Sequence, residues 1–376
     1  MRLAIVNWTG GGMSGGYRAY LHNVLPRLAT HSEVEYVHCM GPATLELPAL
    51  FSDESLPRVS FSSCHPFRII GPRSSRSLTA QLQTFRPDVV FVPVERCLTY
   101  PDAPVVSMVQ NMGPLIPTRW KNPWSERVRY VGQRMEARRA VRAAAHVIAP
   151  TAFVKEFLVR AWDIPDHRVS VLHYGAALPV HGGVQRPLTI PEAWRNSFVF
   201  TAGSIEPYRG LEDALGSVAL LREQGIPTRL VIAGSTRENM RSYERRLRRW
   251  VERRGLTECV RWVGHLSTQE MAWCYTSCSI FIMTSRVETF AIIGAEALVY
   301  GCVCVVAENP PFPEVFDGAA TYYTPGNSAS LVAAIRAVMR WSPAERMQAS
   351  ERAKQRAASF SWDTHVQRLV RCFAML

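Results

Sequence analysis

The stretch from Ser285 to Ala297, Ser-Arg-Val-Glu-Thr-Phe-Ala-Ile-Ile-Gly-Ala-Glu-Ala, constrains the fold of this chain more than any other. Gly301-Cys302-Val303-Cys304-Val305-Val306 comes directly behind it. The pattern reads as a loop, a short helix and a buried strand. Thr289 has the side chain of a helix N-cap, and Gly301 stands where a helix should stop. From Ala291 to Val299 the helix is apolar all round except for Glu296, which places it in a core rather than on a surface.

A carboxylate in such a helix is costly unless something hydrogen-bonds to it. Glu288 lies just before the helix, where unpaired backbone amides and the helix dipole favour an anion. A second carboxylate beside an anion site suggests a ligand that is polyhydroxylated as well as negatively charged. A nucleotide sugar fits, with phosphates on the amides of Thr289, Phe290 and Ala291 and hydroxyls on Glu288 and Glu296. The alternative is a surface Glu288 and a buried Glu296 paired with an arginine.

The length, 376 residues, suggests two domains of about 150–200 residues each. A hydrophobic content of 47% supports full-sized cores, and a charged content of 20% argues against disorder. No run of about 18 apolar residues exists, so no membrane-spanning helix is expected. The first residues, Met1 to Asn7, read as a strand that turns polar too soon for a signal peptide. The expectation is a cytoplasmic protein, with peripheral contact at the inner face of the cytoplasmic membrane as an extension. Cys274 and Cys278 fall on a helix and Cys302 and Cys304 alternate along a strand. Neither pair has metal-ligand spacing, so reduced, mostly buried thiols are expected. No Asp-x-Asp triplet occurs. No metal and no cofactor are expected.

The formal net charge is +12, carried almost wholly by arginine, since lysine occurs only at 121, 155 and 354. A chain this basic meets polyanions: nucleic acid, an anionic membrane or phosphorylated substrates. The charge clusters. Arg119–Arg142 interleaves arginine with Trp120, Trp124 and Tyr130, as an interfacial helix at an anionic bilayer does. The same composition suits nucleic acid, and the alternative is a solvated face with core aromatics. A second arginine-rich segment, about Glu238–Arg254, reads as a solvated helix face.

In chain order, strand Arg2–Asn7 runs into a glycine-rich loop, Gly10 to Gly16, and a helix from about Tyr17 to Ala29. This strand, loop and helix open a doubly wound α/β domain. Gly10, Gly12 and Gly15 satisfy the dinucleotide fingerprint. The second strand, however, ends Cys39-Met40-Gly41 without the acid that would bind ribose, so a nicotinamide role loses ground. Strands Val89–Val92 and Val105–Val109 follow. The latter delivers Gln110 and Asn111 beyond its carboxyl end, where ligands of such sheets bind; the alternative is two capping residues. Ala176 to Asn196 reads as a linker. Strand Phe198–Ala202 then reaches Arg209-Gly210 before helix Leu211–Leu221, and a basic residue at such a turn can neutralise a phosphate. Ser267 and Glu270 have the spacing of a capping box.

Ser285, Glu288, Phe290, Glu296 and Ala297 resemble the signature of the retaining glycosyltransferases of family 4: Ser-x-x-Glu, a small or polar residue, Phe, then a second Glu eight positions after the first, followed by Ala. The usual glycine after the first Glu is Thr289 here. Pro313-Glu314-Val315 resembles the loop after the family's next strand. The likeness covers most of the chain, the donor half better than the acceptor half. It implies an α/β GT-B fold, two facing Rossmann-like doubly wound domains with a cleft between them. Residues 1–178 would bind the acceptor and 179–360 the nucleotide sugar. A last helix, about 361–376, would pack back on the first domain after a crossing at Phe360-Ser361-Trp362.

The resemblance also implies roles. Arg209 and Glu288 are the catalytic pair, with Arg209 against the diphosphate and Glu288 on sugar hydroxyls. Glu296 holds the ribose, and the turn at Leu266 reads the nucleobase with its backbone. Gly15 and Gly16 let donor phosphates and acceptor approach. Gln110 and Asn111 stand where many members carry His-Asp, so no proton transfer is implied there. Tyr208 replaces a frequent second basic residue, and Arg286 is the candidate substitute. The implied reaction is transfer from a nucleotide sugar to a glycan, a lipid-linked intermediate or a small aglycone, with retention and without metal. Partners are the donor, a carbohydrate or lipid-linked acceptor, and an anionic membrane surface through Arg119–Arg142, with no nucleic acid. A sugar-nucleotide epimerase or phosphorylase on the same fold, and a non-catalytic polyanion or membrane binder, are the alternatives.

Overall fold

The computed structural model describes residues 1–10, 12–51, 56–68, 76–116, 124–176 and 183–376. They divide into two compact units. The first holds described residues 1–116, 124–175 and 361–376; the second holds 176 and 183–360. Arg119, Trp120 and Lys121 of the basic segment, and residues 177–182 of the expected linker, lie outside the described residues.

The first unit is built on seven strands: β1 (Arg2–Val6), β2 (Tyr36–Pro42), β3 (Val59–Cys64), β4 (Val89–Val92), β5 (Val105–Met108), β6 (His146–Ala149) and β7 (Val169–Val171). They pair in the order β3-β2-β1-β4-β5-β6-β7, every pair parallel. β4, β5 and β6 are buried along their whole length. Strands covered on both faces show as unbroken apolar runs. The covering helices are α1 (Gly15–Thr30), α2 (Arg76–Phe85), α3 (Trp124–Ala143) and α4 (Ala152–Trp162). α1 starts at Gly15, two residues before the expected Tyr17, because Ser14 caps it and accepts the Tyr17 N–H at 3.2 Å.

The second unit holds six strands: β8 (Val199–Ala202), β9 (Leu230–Ala233), β10 (Val260–Gly264), β11 (Ile280–Met283), β12 (Cys304–Ala307) and β13 (Ala320–Tyr323). Their order is β10-β9-β8-β11-β12-β13, again all parallel. Its helices are α5 (Leu211–Glu223), α6 (Arg241–Arg253), α7 (Thr268–Ser277), α8 (Ile292–Val299), α9 (Phe312–Phe316), α10 (Ser328–Met339) and α11 (Pro343–Ala358). Pro313-Glu314-Val315, expected in a loop, lies inside α9. The Ser267–Glu270 capping box forms at the start of α7 as its spacing predicts.

The last helix, α12 (Trp362–Ala374), belongs to the first unit. Trp362 stacks on Tyr174 with ring centroids 5.8 Å apart, and Phe373 meets Phe91 at 5.3 Å. His365 is buried. Its Nδ1 faces the His173 carbonyl at 2.9 Å and its Nε2 faces the Tyr20 hydroxyl at 3.2 Å. A carbonyl can only accept, so Nδ1 carries the proton and Nε2 accepts from Tyr20. Burial lowers the His365 pKa to about 4, so the ring is neutral near neutral pH.

Each sheet reverses its direction of growth once, between β1 and β4 in the first unit and between β8 and β11 in the second. Loops leaving such neighbours run apart and open a crevice at the carboxyl edge, where ligands of doubly wound sheets bind.

Candidate functional site

The loops at the second unit's reversal are stitched together before any side-chain chemistry begins. After β8 the chain passes Gly203 and a short helical turn, Pro207–Arg209, to Gly210 at φ +61°. A β-carbon at Gly210 would collide with the Thr284 carbonyl oxygen, so only glycine lets this turn lie against the loop after β11. Thr284 Oγ1 donates to the Arg209 carbonyl at 2.7 Å, and the Arg286 N–H donates to the Tyr208 carbonyl at 2.6 Å. Arg209 and Glu288, 79 positions apart, thereby face each other.

Arg209 donates through Nη1 to a Glu288 carboxylate oxygen, and the same nitrogen lies 3.4 Å from Ser285 Oγ. The Arg209 and Glu288 side chains are 15% and 14% exposed, sheltered but reachable. Burial alone would lower the Arg209 pKa; the charge on Glu288, with Tyr208 and Glu206, outweighs it and raises the value. Its guanidinium also sits 5.0 Å above the Tyr208 ring. Arg209 Nε is buried with no hydrogen-bond partner. An unmade bond on a buried cation is expensive, so the site holds a donor that a ligand oxygen would satisfy. A small pocket with room for about one water, about 10 Å³, lies beside it, lined by Gly203, Ser204, Arg209, Thr284 and Ser285 among others.

Arg286 does not supply the missing positive charge. It makes a two-pronged bond to Asp213, at 2.6 and 2.7 Å, and Asp213 also accepts from the Tyr323 hydroxyl and the Gly326 N–H, both at 2.9 Å. Glu206 is buried and likewise bound two-pronged by Arg237, at 3.1 and 2.9 Å. Both pairs hold the loops in place.

Thr289 is not the N-cap of α8. The helix starts at Ile292, and the residue before it is Ala291, in the left-handed region at φ +75°. No side chain caps this end. The amides without intrahelical partners are therefore those of Ile292, Ile293 and Gly294, three residues later than the expected Thr289, Phe290 and Ala291. Phe290 is 1% exposed and packs edge-on against Phe360 at 5.1 Å, so its side chain serves the core. Glu296 accepts from the Tyr275 hydroxyl at 2.9 Å rather than from an arginine, and burial raises its pKa. Leu266 is buried in the turn after β10. Gly234, at φ +139°, lies against Gly203, where any β-carbon would strike a carbonyl oxygen, and its N–H donates to the Gly264 carbonyl at 2.6 Å. Adjacent strands β8, β9 and β10 thus bring three glycines together at one edge, an arrangement invisible to a linear reading.

In the first unit, Gly15 and Gly16 form the exposed first turn of α1. Gln110 and Asn111 follow β5, as expected. Gln110 Oε1 accepts from the Tyr174 hydroxyl at 3.0 Å, and Asn111 Oδ1 accepts the Gly113 N–H at 2.9 Å. Sequence reasoning missed Glu95, which follows β4. One of its carboxylate oxygens accepts the N–H groups of both Gln110 and Asn111, the latter at 2.7 Å. Burial raises its pKa, against the pull of Arg96 and the amides.

Among the described residues no group of three or more His, Cys, Asp and Glu could hold a metal ion, and no helix is long and apolar enough to cross a membrane. The nine cysteines are free thiols; Cys97 and Cys278 are half-buried and the others buried.

Comparison with known proteins follows the division into units. Residues 14–178 match the model of Glycosyltransferase Family 4, and residues 191–356 match that of Glycosyl transferases group 1. The D-inositol 3-phosphate glycosyltransferase of Streptomyces griseus is 27% identical over 250 residues, 60% of this chain and 52% of that protein. The glycogen synthase of Mycobacterium tuberculosis is 28% identical over 166 residues, 43% of this chain and 38% of that protein. The chain spans about half the length, or less, of these curated relatives. Among solved structures, Anabaena HepE in complex with UDP and glucose superposes over all of both chains, with a TM-score of 0.75 and 18% identity. The lipopolysaccharide outer core galactosyltransferase WaaB, in its apo form, does so with a TM-score of 0.65 and 15% identity. Two separate parallel sheets of this strand order, with one family model matching most of each unit, make this chain a GT-B-fold protein related to the family 4 and group 1 glycosyltransferases.

Proposed function

We infer that the chain transfers a sugar from a nucleotide-sugar donor to an acceptor, with retention at the anomeric carbon and without a metal ion. The observation that carries this reading is Arg209, a buried guanidinium bonded to Glu288 with its Nε still unpartnered, at the sheet reversal where ligands bind. A cation with a spare donor beside a sheltered carboxylate and an uncapped helix start suits a diphosphate with sugar hydroxyls next to it. The complexes of HepE with UDP and with UDP-glucose support the same class of ligand.

In this reading Arg209 and the first amides of α8 stabilise the leaving diphosphate, where charge grows as the anomeric carbon–oxygen bond breaks. Glu288 holds sugar hydroxyls and Glu296 the ribose. The backbone at Leu266 meets the base, and Thr289, Phe290 and Ala291 contribute backbone only. The acceptor, a carbohydrate or a lipid-linked sugar, is met by Gly15, Gly16, Gln110 and Asn111. Its oxygen bonds to the anomeric carbon on the face the phosphate leaves, and a departing phosphate oxygen takes its proton. Gln110 and Asn111 hydrogen-bond without titrating, in keeping with a route that draws no base from them.

The test is a thermal-shift panel of nucleoside diphosphates and nucleotide sugars in the presence of a chelator. A ligand specific to the native state adds about 2.7 kcal/mol at a hundredfold excess over its Kd. One base should stand out, its shift should vanish in Arg209→Ala, and its sugar should appear in product with retained configuration. No shift with any nucleotide overturns the reading. Donor turnover without an acceptor points instead to an epimerase or phosphorylase.

A further inference from the structure

Helix α3 is amphipathic in the reverse of the usual sense. Its only acids, Glu126 and Glu136, are buried: Glu126 pairs with Arg129, and Glu136 accepts the Cys97 N–H at 3.0 Å. Ala137, Ala140 and Val141 are buried with them, but four of its large apolar residues point outward. Trp124, Val128, Val131 and Met135 are 79%, 53%, 47% and 64% exposed. Their spacing of four, three and four residues aligns them in one stripe about 16 Å long. Arg127, Arg134 and Arg138 run along one flank, and Arg139 and Arg142 close its C-terminal end; all are exposed but Arg134, which is half-exposed. No other helix among the described residues turns four large apolar side chains to solvent.

The charges choose the occupant. A second copy docked stripe to stripe would bring arginine rows together with no exposed acid on either helix to meet them. Nucleic acid would satisfy the arginines and leave the Val128–Val131–Met135 stripe in water. A bilayer with anionic headgroups satisfies both, taking the stripe into the acyl boundary and the arginines at phosphate level.

We propose that α3 is a docking helix for an anionic phospholipid surface, seated through Trp124, Val128, Val131 and Met135 and held by Arg127, Arg134 and Arg138. The proposal stands on this helix alone and does not depend on the glycosyl-transfer reading.

The experiment is flotation of the full chain with vesicles of phosphatidylcholine mixed with phosphatidylglycerol, and with vesicles of phosphatidylcholine alone. The wild type should float with the anionic vesicles and lose them as salt rises. Val128→Gln/Val131→Gln/Met135→Gln leaves the net charge unchanged and should weaken binding at least about tenfold. Arg127→Gln/Arg134→Gln/Arg138→Gln should weaken it about a hundredfold, at about fivefold per arginine. Circular dichroism and the nucleotide thermal shift should be unaltered in both variants, which separates this test from that of the donor site. Absence of flotation at low salt overturns the proposal, as does a glutamine variant of the stripe that floats like the wild type. So does a dimer that this variant converts to monomer, or duplex DNA binding that the arginine variant abolishes and that outcompetes the anionic vesicles.

Discussion

The two sheet reversals share a topology and differ in charge. At the β8–β11 reversal the loops carry three arginine–carboxylate pairs, Arg209–Glu288, Arg286–Asp213 and Arg237–Glu206. At the β1–β4 reversal the bonds are mostly neutral. The Asn7 amide donates to the Met40 carbonyl at 3.0 Å and to Cys39 Sγ at 3.2 Å, the Tyr17 hydroxyl donates to Asn7, and Tyr174 donates to Gln110. Glu95 is the carboxylate there, and it is spent on backbone amides. The strand order makes a crevice in both units; the loop residues decide what enters it. A charged crevice suits a diphosphate, and a neutral one suits hydroxyl groups.

The comparison breaks most visibly at Arg209. Arg209→Ala should lower transfer about a thousandfold, the scale for removing one fixed donor to developing charge, and should abolish the nucleotide thermal shift. Arg286–Asp213 is the control, since that pair is saturated. Asp213→Ala strands a sheltered guanidinium and should cost about 3–4 kcal/mol in denaturant unfolding of the second unit. A normal unfolding midpoint in that variant would show that the loop does not depend on the pair.

The first unit should reveal itself through pH. The His365 pKa is lowered by burial from 6.5 to about 4. The unfolded chain therefore binds a proton that the folded chain refuses, and stability falls as pH drops from above 6.5 toward 4. The term is up to about 3 kcal/mol. Denaturant melts at neutral pH and at about pH 4 should show that loss in the wild type and a smaller one in His365→Gln. Parallel losses would mean that His365 is not the group responsible.

What was legible in the sequence was what is local. Parallel strands buried on both faces announce themselves as apolar runs, and Arg209, Glu288 and Glu296 stand at strand ends or in a core helix that spacing reveals. α2 and α11 carry no expectation in the sequence because their buried positions, Leu78 and Leu82 in one and Ala349, Ala353 and Ala357 in the other, recur every four residues but are too few or too small to stand out in polar segments. Thr289 misled because its side chain suits a cap, whereas Phe290 turns into the core against Phe360 and the helix starts only after Ala291. Glu95 carried no local signal at all. Its role depends on β4 lying beside β5, and neighbour order is a property of the sheet rather than of the residues around Glu95.

Glu95 gives the finest test of the contrast between the two crevices. Glu95→Gln keeps the shape and one acceptor oxygen, so the amides of Gln110 and Asn111 retain a neutral bond in place of a charge-assisted one. Charge-assisted bonds are roughly twice as strong, so the loss should be about 1 kcal/mol, felt as an acceptor KM about fivefold higher. The donor-side thermal shift should not change. Burial raises the Glu95 pKa above the ordinary carboxylate value. As pH falls through that value the wild type gains a proton and comes to resemble the glutamine variant, so the two KM profiles should converge on the acid side and separate toward neutral pH. A constant ratio across pH would assign the effect to packing. Loss of the nucleotide shift together with the KM change would mean that the two crevices are not chemically separate, and that the charged one does not hold the donor by itself.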